Sequence, residues 1–291
     1  MNKLVIRLLA LLFISFFLIA GYLIFFRKTW NGTTKLAIAF DSLDGGVRVV
    51  VIDPEIVRLT NYYIPKNTSV EVARNLGVWN LGSVWKLGEH EGLGGGRLLT
   101  ETLTKSLGIP TFTYSDASGY KIIQGEFGGL FNTLRDESSN LYLSDKISIL
   151  LFGLKVKNAD RVEIDLTSSG FLRKVELPDG TLGFEATEVP FEDFLGVFSD
   201  PLIASENPRI AIIDRTGSGR GIVILRPAIE VLGGKIVSIS KDGVSEGGCT
   251  VFSKSKEARR LFSALFDCSL GKTDPPQAYD IVFEVGEDFV F

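Results

Sequence analysis

Two glycine-rich turns are the first features of this 291-residue chain whose residue types could do chemistry. Residues 216–221 read TGSGRG between a predicted strand and a predicted helix, and residues 92–97 read GLGGGR before another predicted helix. Backbone N–H groups at a helix N-terminus favour anions, so either turn could hold a phosphate, with Arg97 assisting at the second. The glycine spacing is not that of a dinucleotide-binding turn, and no Gly-Lys-Ser/Thr of a P-loop is present. A tight strand-to-helix turn and a loop hinge are the alternatives that the residues favour.

Few other side chains offer chemistry. The one histidine, His90, lies in a charged loop, and a metal there would need a further ligand from elsewhere. No cysteine–histidine cluster has zinc spacing. Cys249 begins a predicted strand and Cys268 ends the helix that follows, so their Cα atoms could come within the roughly 6 Å that a disulfide requires. The pattern favours a disulfide; two free buried thiols are the alternative.

The elements that position these residues follow from hydropathy and turn signals. Strands at residues 35–40 and 47–52 flank the hairpin turn Asp44-Gly45-Gly46. Further strands are predicted at 56–64, 109–114, 120–123, 161–166 and 172–177, and helices at 70–78, 97–107, 145–153 and 191–198. Beyond a linker at 200–208, a βαββαβ order predicts a compact α/β layer with two helices on one side of a sheet.

The first 28 residues predict a membrane anchor. Residues 4–26 are apolar except for Arg7, and the uncharged part spans about 28 Å as a helix, the thickness of a bilayer's hydrocarbon core. A cleaved signal peptide would have a shorter apolar run and a site of small residues, and a buried helix would show a polar stripe. Basic residues flank both ends, so they orient the anchor only weakly, with the N-terminus in the cytoplasm. The cysteine pair favours an extracytoplasmic body.

Composition limits the partners and the domain number. The formal net charge is −4, without a basic run or a basic–aromatic stripe, which argues against nucleic acid as a partner. The length predicts about two domains after the anchor. We place them at residues 35–200 and 208–291, so the expected fold class is α/β behind one transmembrane helix.

Residues 209–289 resemble the LytR C-terminal domain. The segments that carry the resemblance are IAIIDRTGSGRG, IEVLGGKIVSI, CTVFSKSKEARRLFSALF and YDIVFEVGEDF. That domain typically has a strand ending in Asn-Gly-Thr/Ser-Gly, a helix, and a closing strand with Gly-x-Asp. Residues 214–217 and 286–288 occupy those places here.

The upstream part is similar to the catalytic domain of the LytR-CpsA-Psr family, in Phe40-Asp41-Ser42, VRVVVIDPE, YIPKNTSV and GGGRLLTETLTKSLGIP. The resemblance implies a membrane-anchored, extracytoplasmic phosphotransferase that moves glycopolymers from a polyprenyl pyrophosphate carrier onto peptidoglycan with Mg²⁺. Such a reaction needs arginines on the pyrophosphate and a carboxylate on the metal. Carried onto this chain, it implies Asp41 as a metal ligand and Lys66 and Arg97 as phosphate contacts.

The departures from the family pattern leave two hypotheses. The family's Pro-Arg-Asp-Thr reads Pro65-Lys66-Asn67-Thr68, so a guanidinium fork is replaced by a point charge and a carboxylate by an amide. The family's later paired arginines have no counterpart, since neither Arg161 nor Arg173 has a partner at that spacing. These losses favour a cell-envelope binding or scaffold protein in wall or glycopolymer assembly, without an assigned catalytic residue. The alternative is an active Mg²⁺-dependent phosphotransferase. The expected partners are the membrane and a cell-wall polymer or polyprenyl-linked glycan.

Overall fold

The computed structural model describes residues 28–129, 138–177, 180–187 and 192–291, together with Phe13 and Ser15. The predicted anchor at residues 4–26 therefore lies outside the described residues, apart from those two. Every helix within the described ranges is too short or too polar to span a bilayer.

The predicted hairpin forms the centre of a five-stranded mixed sheet. Its strands are β1 (Leu36–Asp41), β2 (Val47–Asp53), β3 (Arg58–Ile64), β6 (Thr113–Ser115) and β7 (Arg161–Asp165), in the order β6–β1–β2–β3–β7. The three central strands run antiparallel, and each edge strand runs parallel to its neighbour. Asp41 pairs with Val47, which places it at the end of the sheet, beside the turn.

Helices cover both faces of this sheet. The helices of this part are α1 (Leu81–His90), α2 (Gly95–Leu107), α3 (Ala117–Ile123) and α4 (Leu143–Lys155). Val49 and Val51 of β2 share a buried cluster with residues of α1 and α2. Val50 and Ile52, on the opposite face, pack with residues of α3 and α4. Because the central strands are buried on both sides, they appear in the sequence as continuous apolar runs.

A second sheet of four strands corrects one prediction. Its strands are β4 (Thr68–Glu71), β5 (Val78–Asn80), β8 (Leu172–Glu176) and β9 (Leu182–Ala186), in the order β5–β4–β9–β8. The helix predicted at 70–78 is wrong, because β4, a 3₁₀ turn at Ala73–Asn75 and β5 occupy that range. Arg74 and Asn75 have φ of 60° and 58°, which no α-helix accommodates.

The strand predicted at 120–123 is also wrong. Helix α3 occupies these residues, and it begins where the Asp116 carboxylate accepts hydrogen bonds from the amides of Ser118 and Gly119. The apolar residues Ile122 and Ile123 are buried as part of this helix. A short apolar run is compatible with a strand or with a buried helix. Here the Asp116 cap favours the helix.

The C-terminal part contains the predicted βαββαβ order. It follows two short helices, α5 (Glu192–Phe198) and α6 (Pro201–Ala204), and contains β10 (Arg209–Asp214), α7 (Arg220–Val231), β11 (Lys235–Lys241), β12 (Cys249–Ser253), α8 (Lys256–Phe266), a short β13 (Ser269–Leu270) and β14 (Ile281–Val285). The strand order is β11–β10–β14–β12–β13. Residues 200–208, predicted as a linker, include α6, whose Ile203 is fully buried in the C-terminal core.

The structure contains the disulfide that the cysteine positions favour. Cys249 opens β12 and Cys268 lies two residues beyond α8, with their Cα atoms 4.5 Å apart. Both residues are buried in the C-terminal core. The bridge therefore ties the end of α8 to the sheet.

The TGSGRG turn is closed by a carboxylate of this chain. Asp214, buried at the end of β10, accepts hydrogen bonds from the Thr216 amide at 2.9 Å, the Thr216 hydroxyl at 2.6 Å and the Ile222 amide at 3.0 Å. Burial by itself raises the pKa of Asp214, but the hydrogen bonds from Thr216, Ile222 and Gly221 outweigh it and leave the pKa lowered. Asp214 thus occupies the amides at the start of α7 that a phosphate would use, and the tight-turn alternative describes this segment.

We predict that Asp214→Asn lowers the free energy of unfolding by about 2 kcal/mol at pH 7, because it weakens charge-assisted hydrogen bonds to a buried group. Since the folded pKa is lowered, this stabilisation is present above the unfolded pKa of about 3.9 and is lost as the pH falls through the folded value. Urea denaturation of wild type and variant between pH 2.5 and 7 measures it. An unchanged difference across that range would contradict the assignment, and Asp274→Asn, in an exposed loop, is the control.

Candidate functional site

Asp41 lies half-buried at the end of β1, among charged side chains. Burial raises the pKa of Asp41, and the carboxylates of Asp116 and Asp44 raise it further, while Lys86 on α1 lowers it. Lys86 was not identified from the sequence, because nothing local connects residue 86 with residue 41. We call this end of the sheet the Asp41 corner, formed by Asp41, Asp44, Lys66, Lys86 and Asp116.

The other two carboxylates of the Asp41 corner hold the local backbone. Asp44 accepts a hydrogen bond from the Gly46 amide at 3.0 Å, and Asp116 caps α3. Within the described ranges, no group of three or more histidine, cysteine, aspartate or glutamate side chains could hold a metal ion. Asp41 thus supplies one half-buried carboxylate with a raised pKa, and the residues around it do not by themselves fit a Mg²⁺ site.

Lys66 lies at the same end of the sheet. Its aliphatic part lies against Gly45 in the β1–β2 turn and against Gly82 in the first turn of α1, where a Cβ would approach the Lys66 Cβ to 2.7 Å. The side chain of Lys66 is exposed. The neighbouring Asn67 donates to the Leu182 carbonyl at 2.7 Å, so the amide at the family's carboxylate position connects this loop to β9.

Arg48 is a further cation near this corner that sequence reasoning missed. Its guanidinium carbon lies 5.0 Å from the centre of the Tyr63 ring and 5.4 Å from that of the Tyr120 ring. Its Nε donates to the Ser42 hydroxyl at 3.2 Å. The alternation of β2 marks Arg48 as the one charged position inside VRVVVI, which is the signal that could have identified it.

Arg97 is paired with two carboxylates of this chain. Its Nε donates to Glu101 Oε1 at 3.0 Å, and its Nη2 donates to Asp267 Oδ2 at 2.7 Å. Arg74 donates to both oxygens of Glu101, at 2.6 and 2.7 Å, and lies 3.7 Å from Asp267. The Glu101 hydrogen bond raises the pKa of Arg74. We call Arg74, Arg97, Glu101 and Asp267 the Glu101 network.

The glycine-rich turn before Arg97 allows close packing. The Gly95 amide donates to Glu89 Oε1 at 2.8 Å, so a carboxylate already occupies this part of the helix N-terminus. A Cβ on Gly95 would lie 2.5 Å from the Trp85 ring, and a Cβ on Gly96 would overlap the Tyr114 ring. Only glycine therefore lets α2 approach α1 and β6 this closely.

The remaining candidate residues noted in the sequence, Arg161, Arg173 and His90, have other partners. Arg161 donates to the Gly153 carbonyl at 2.6 Å, and Arg173 faces Glu185 at 3.5 Å on the surface. His90 is exposed, with Nδ1 3.2 Å from Glu91 Oε1. Asp41 and Lys66 thus share one end of the sheet, while Arg97 lies in the Glu101 network.

Two spaces lie near these residues. Between the first sheet and α3 and α4, apolar side chains that include Phe40, Ile122 and Ile149 enclose only about 10 Å³. A cleft of about 270 Å³ lies beside the Glu101 network. We call it the Arg97 cleft; its lining residues are Arg97, Thr100, Glu101, Thr111, Phe112, Tyr114, Asn140, Ala264, Leu265, Asp267 and Phe291.

Comparison with known proteins finds similarity only among solved structures. No family model and no curated protein matches the chain. B. subtilis TagT is 13% identical with a TM-score of 0.39, over 58% of this chain and 91% of that chain. The LytR-CPS2A-psr family protein YwtF (TagT), with bound octaprenyl pyrophosphate lipid, is 15% identical with a TM-score of 0.38, over 56% and 88%. B. subtilis TagV is 12% identical with a TM-score of 0.39, over 70% and 99%.

One of these structures has in its description the family name that the upstream sequence resemblance indicated. At TM-scores below 0.5 we carry no residue role from them to this chain. The roles of Asp41, Lys66 and Arg97 stay predictions.

We predict that Glu101→Gln lowers the free energy of unfolding by about 2–3 kcal/mol. The substitution leaves Arg74 and Arg97 without their shared, buried counter-charge. Urea denaturation measures the loss, with Glu185→Gln as the matched control. Glu185 forms a surface pair with Arg173, whose contribution should be about 0–1 kcal/mol. Equal losses in both variants would show that the network contributes no more than a surface pair.

We predict that Asp41→Asn is more stable than wild type at pH 7, by less than about 1 kcal/mol because Asp41 is partly solvated. The folded pKa of Asp41 is raised, which means that the folded state favours the neutral carboxyl. The stability that the neutral carboxyl contributes is fully present below the unfolded pKa and is lost as the pH rises through the folded pKa. The advantage of the variant should therefore disappear below about pH 4. Thermal unfolding from pH 3 to 8 tests this, with Asp274→Asn as the control; a variant less stable than wild type at pH 7 would contradict it.

Proposed function

We propose that this chain is a membrane-anchored, extracytoplasmic protein of the cell envelope that binds a cell-wall glycopolymer. The observation that carries the proposal is the Glu101 network: the two arginines at the start of α2 and in the loop before β5 are paired with carboxylates of this chain. A transferase of the resembled family needs such cations for its pyrophosphate substrate. Here they stabilise the protein.

The apolar space beside the first sheet supports binding over transfer. A polyprenyl chain needs an apolar tunnel, yet the described residues between the sheet and α3 and α4 enclose about 10 Å³. A space of that size is at the lower limit for one water molecule. The described side chains around this space therefore pack closely.

The anchor and the disulfide support the cellular location. The apolar run at residues 4–26 is long enough to cross a bilayer as a helix. Disulfides persist in oxidising environments such as the cell surface, and the Cys249–Cys268 bridge fits that setting.

The alternative is a Mg²⁺-dependent phosphotransferase. The observation that favours it is the Asp41 corner, where Asp41 lies near the exposed Lys66 and Lys86 at one end of the sheet. A substrate phosphate would have to bring the remaining metal ligands with it, since the neighbouring carboxylates hold backbone amides.

The two functions can be separated with the full chain in lipid nanodiscs. We expect it to co-sediment with purified cell-wall sacculi that carry their glycopolymer, without a requirement for Mg²⁺. Asp41→Ala and the control Asp274→Ala should co-sediment equally. Wild type that transfers the phosphoglycan of a polyprenyl-pyrophosphate-linked glycan onto a peptidoglycan hydroxyl with Mg²⁺, releasing polyprenyl monophosphate, and loses this in Asp41→Ala, would establish the transferase. Failure to sediment by a folded sample would contradict the binding function.

A further inference from the structure

The Arg97 cleft lies between the first sheet and the C-terminal part. Residues of α2 and β6 form one wall, and Ala264 and Leu265 of α8, Asp267 and Phe291 form the other. Its volume of about 270 Å³ is just below the roughly 300–1,000 Å³ of pockets for drug-sized ligands. The cleft therefore fits a ligand of about one ring, held where two parts of the chain meet.

Its polar groups have unused hydrogen-bonding capacity. The side chains of Arg97 and Asp267 are 47% and 63% exposed, so both reach solvent from the cleft. Among the described residues, no hydrogen bond engages Nη1 of Arg97, Oδ1 of Asp267 or the Tyr114 hydroxyl. Arg97, which only donates hydrogen bonds, thus lies next to Asp267, which only accepts them, and the Tyr114 hydroxyl can donate and accept.

The charges of the cleft select against anions. The two arginines and two carboxylates of the Glu101 network sum to zero, and both carboxylates line the cleft. A phosphate accepts hydrogen bonds only, so it would satisfy Arg97 while being repelled by Glu101 and Asp267. A sugar hydroxyl donates and accepts, which satisfies Arg97 and Asp267 together.

The aromatic side chains of the cleft suit the apolar C–H groups of a sugar ring. Phe112 and Tyr114 are partly buried in the wall of the cleft, and Phe291 is buried opposite. An aromatic face with a polar edge suits a ring that has apolar C–H groups and hydroxyls. The Tyr114 ring is also held in place, against Trp85 at a centroid distance of 6.0 Å and against Gly96.

We infer that the Arg97 cleft binds one neutral sugar unit of a glycan, with Arg97, Asp267 and the Tyr114 hydroxyl on its hydroxyl groups. The inference rests on the proposed function and specifies which part of a wall glycan the protein recognises. It assigns the site to the cleft, away from the Asp41 corner.

The backbone supports a preformed site. Asp267 ends α8 in the left-handed conformation that is common at helix C-termini, with φ of 54°. Asp267 directly precedes Cys268, so the disulfide fixes the residue that faces the ligand.

The test uses the full chain in nanodiscs with triacetylchitotriose, a neutral trimer of a β-1,4-linked amino sugar, followed by calorimetry. We expect saturable binding that weakens at least tenfold in Ala264→Trp, which fills the cleft from the exposed surface of α8. The matched control is Ala278→Trp, the same substitution at an exposed loop position outside the cleft, which should bind as wild type does. Tyr114→Phe removes one hydroxyl and should weaken binding about fivefold.

Each outcome decides between the site and the function. Sedimentation with sacculi that is normal in Ala264→Trp, or trimer binding unchanged by it, would overturn the cleft as the site and leave the proposed function intact. The cleft would also be overturned as the site, with the proposed function intact, if wild type sediments with sacculi but does not bind the trimer. Competition between inorganic pyrophosphate and the trimer would have the same consequence. Loss of both sedimentation and trimer binding in folded wild type would contradict the proposed function itself. Thermal unfolding of each variant shows that it is folded.

Discussion

The buried carboxylate of Glu101 is the constraint on which the arrangement of the two parts depends. A carboxylate removed from water must be balanced by cations and hydrogen bonds, and Arg74 and Arg97 supply both at 2.6–3.0 Å. The same two arginines reach Asp267 at the end of α8, so the C-terminal part is positioned by charges that α2 needs for its own stability. The close packing of α2 on α1 and β6, made possible by Gly95 and Gly96, determines where that network lies.

Because of this constraint, the arginine at the start of α2 pairs with carboxylates of the chain itself. In the resembled family, such an arginine is expected on a pyrophosphate. Here the N-terminal amide of Gly95 meets Glu89, and Arg97 meets Glu101 and Asp267. The TGSGRG turn follows the same logic, because Asp214 occupies the amides that open α7. In both turns an internal carboxylate takes the place that an external anion would otherwise have.

The sequence predicts local features of this fold better than distant ones. The β1–β2 hairpin, the βαββαβ order and the disulfide follow from turn residues, periodicity and spacing within tens of residues. The segment 70–78 could not be predicted, because the left-handed Arg74 is held there by Glu101, which lies on α2 and is 27 residues away in the sequence. The Arg97 cleft was out of reach for the same reason, since Arg97 and Asp267 are 170 residues apart. The sequence identifies charged residues that could bind a ligand, but tertiary packing determines which residues of the chain pair with those charges.

The Asp41 corner and the Glu101 network differ in how their charges affect the stability of the fold. At the Asp41 corner, burial and two neighbouring carboxylates oppose ionisation, so the protein gains no stability from keeping Asp41 charged. In the Glu101 network every carboxylate has an arginine, and the exposed atoms of Arg97 and Asp267 remain directed to solvent. Strand β6 connects the two regions, since Tyr114 lines the cleft and pairs with Ala39, two residues before Asp41. A ligand in the cleft would therefore contact the strand whose end supports the Asp41 corner, while its affinity would come from groups that the fold already holds in place.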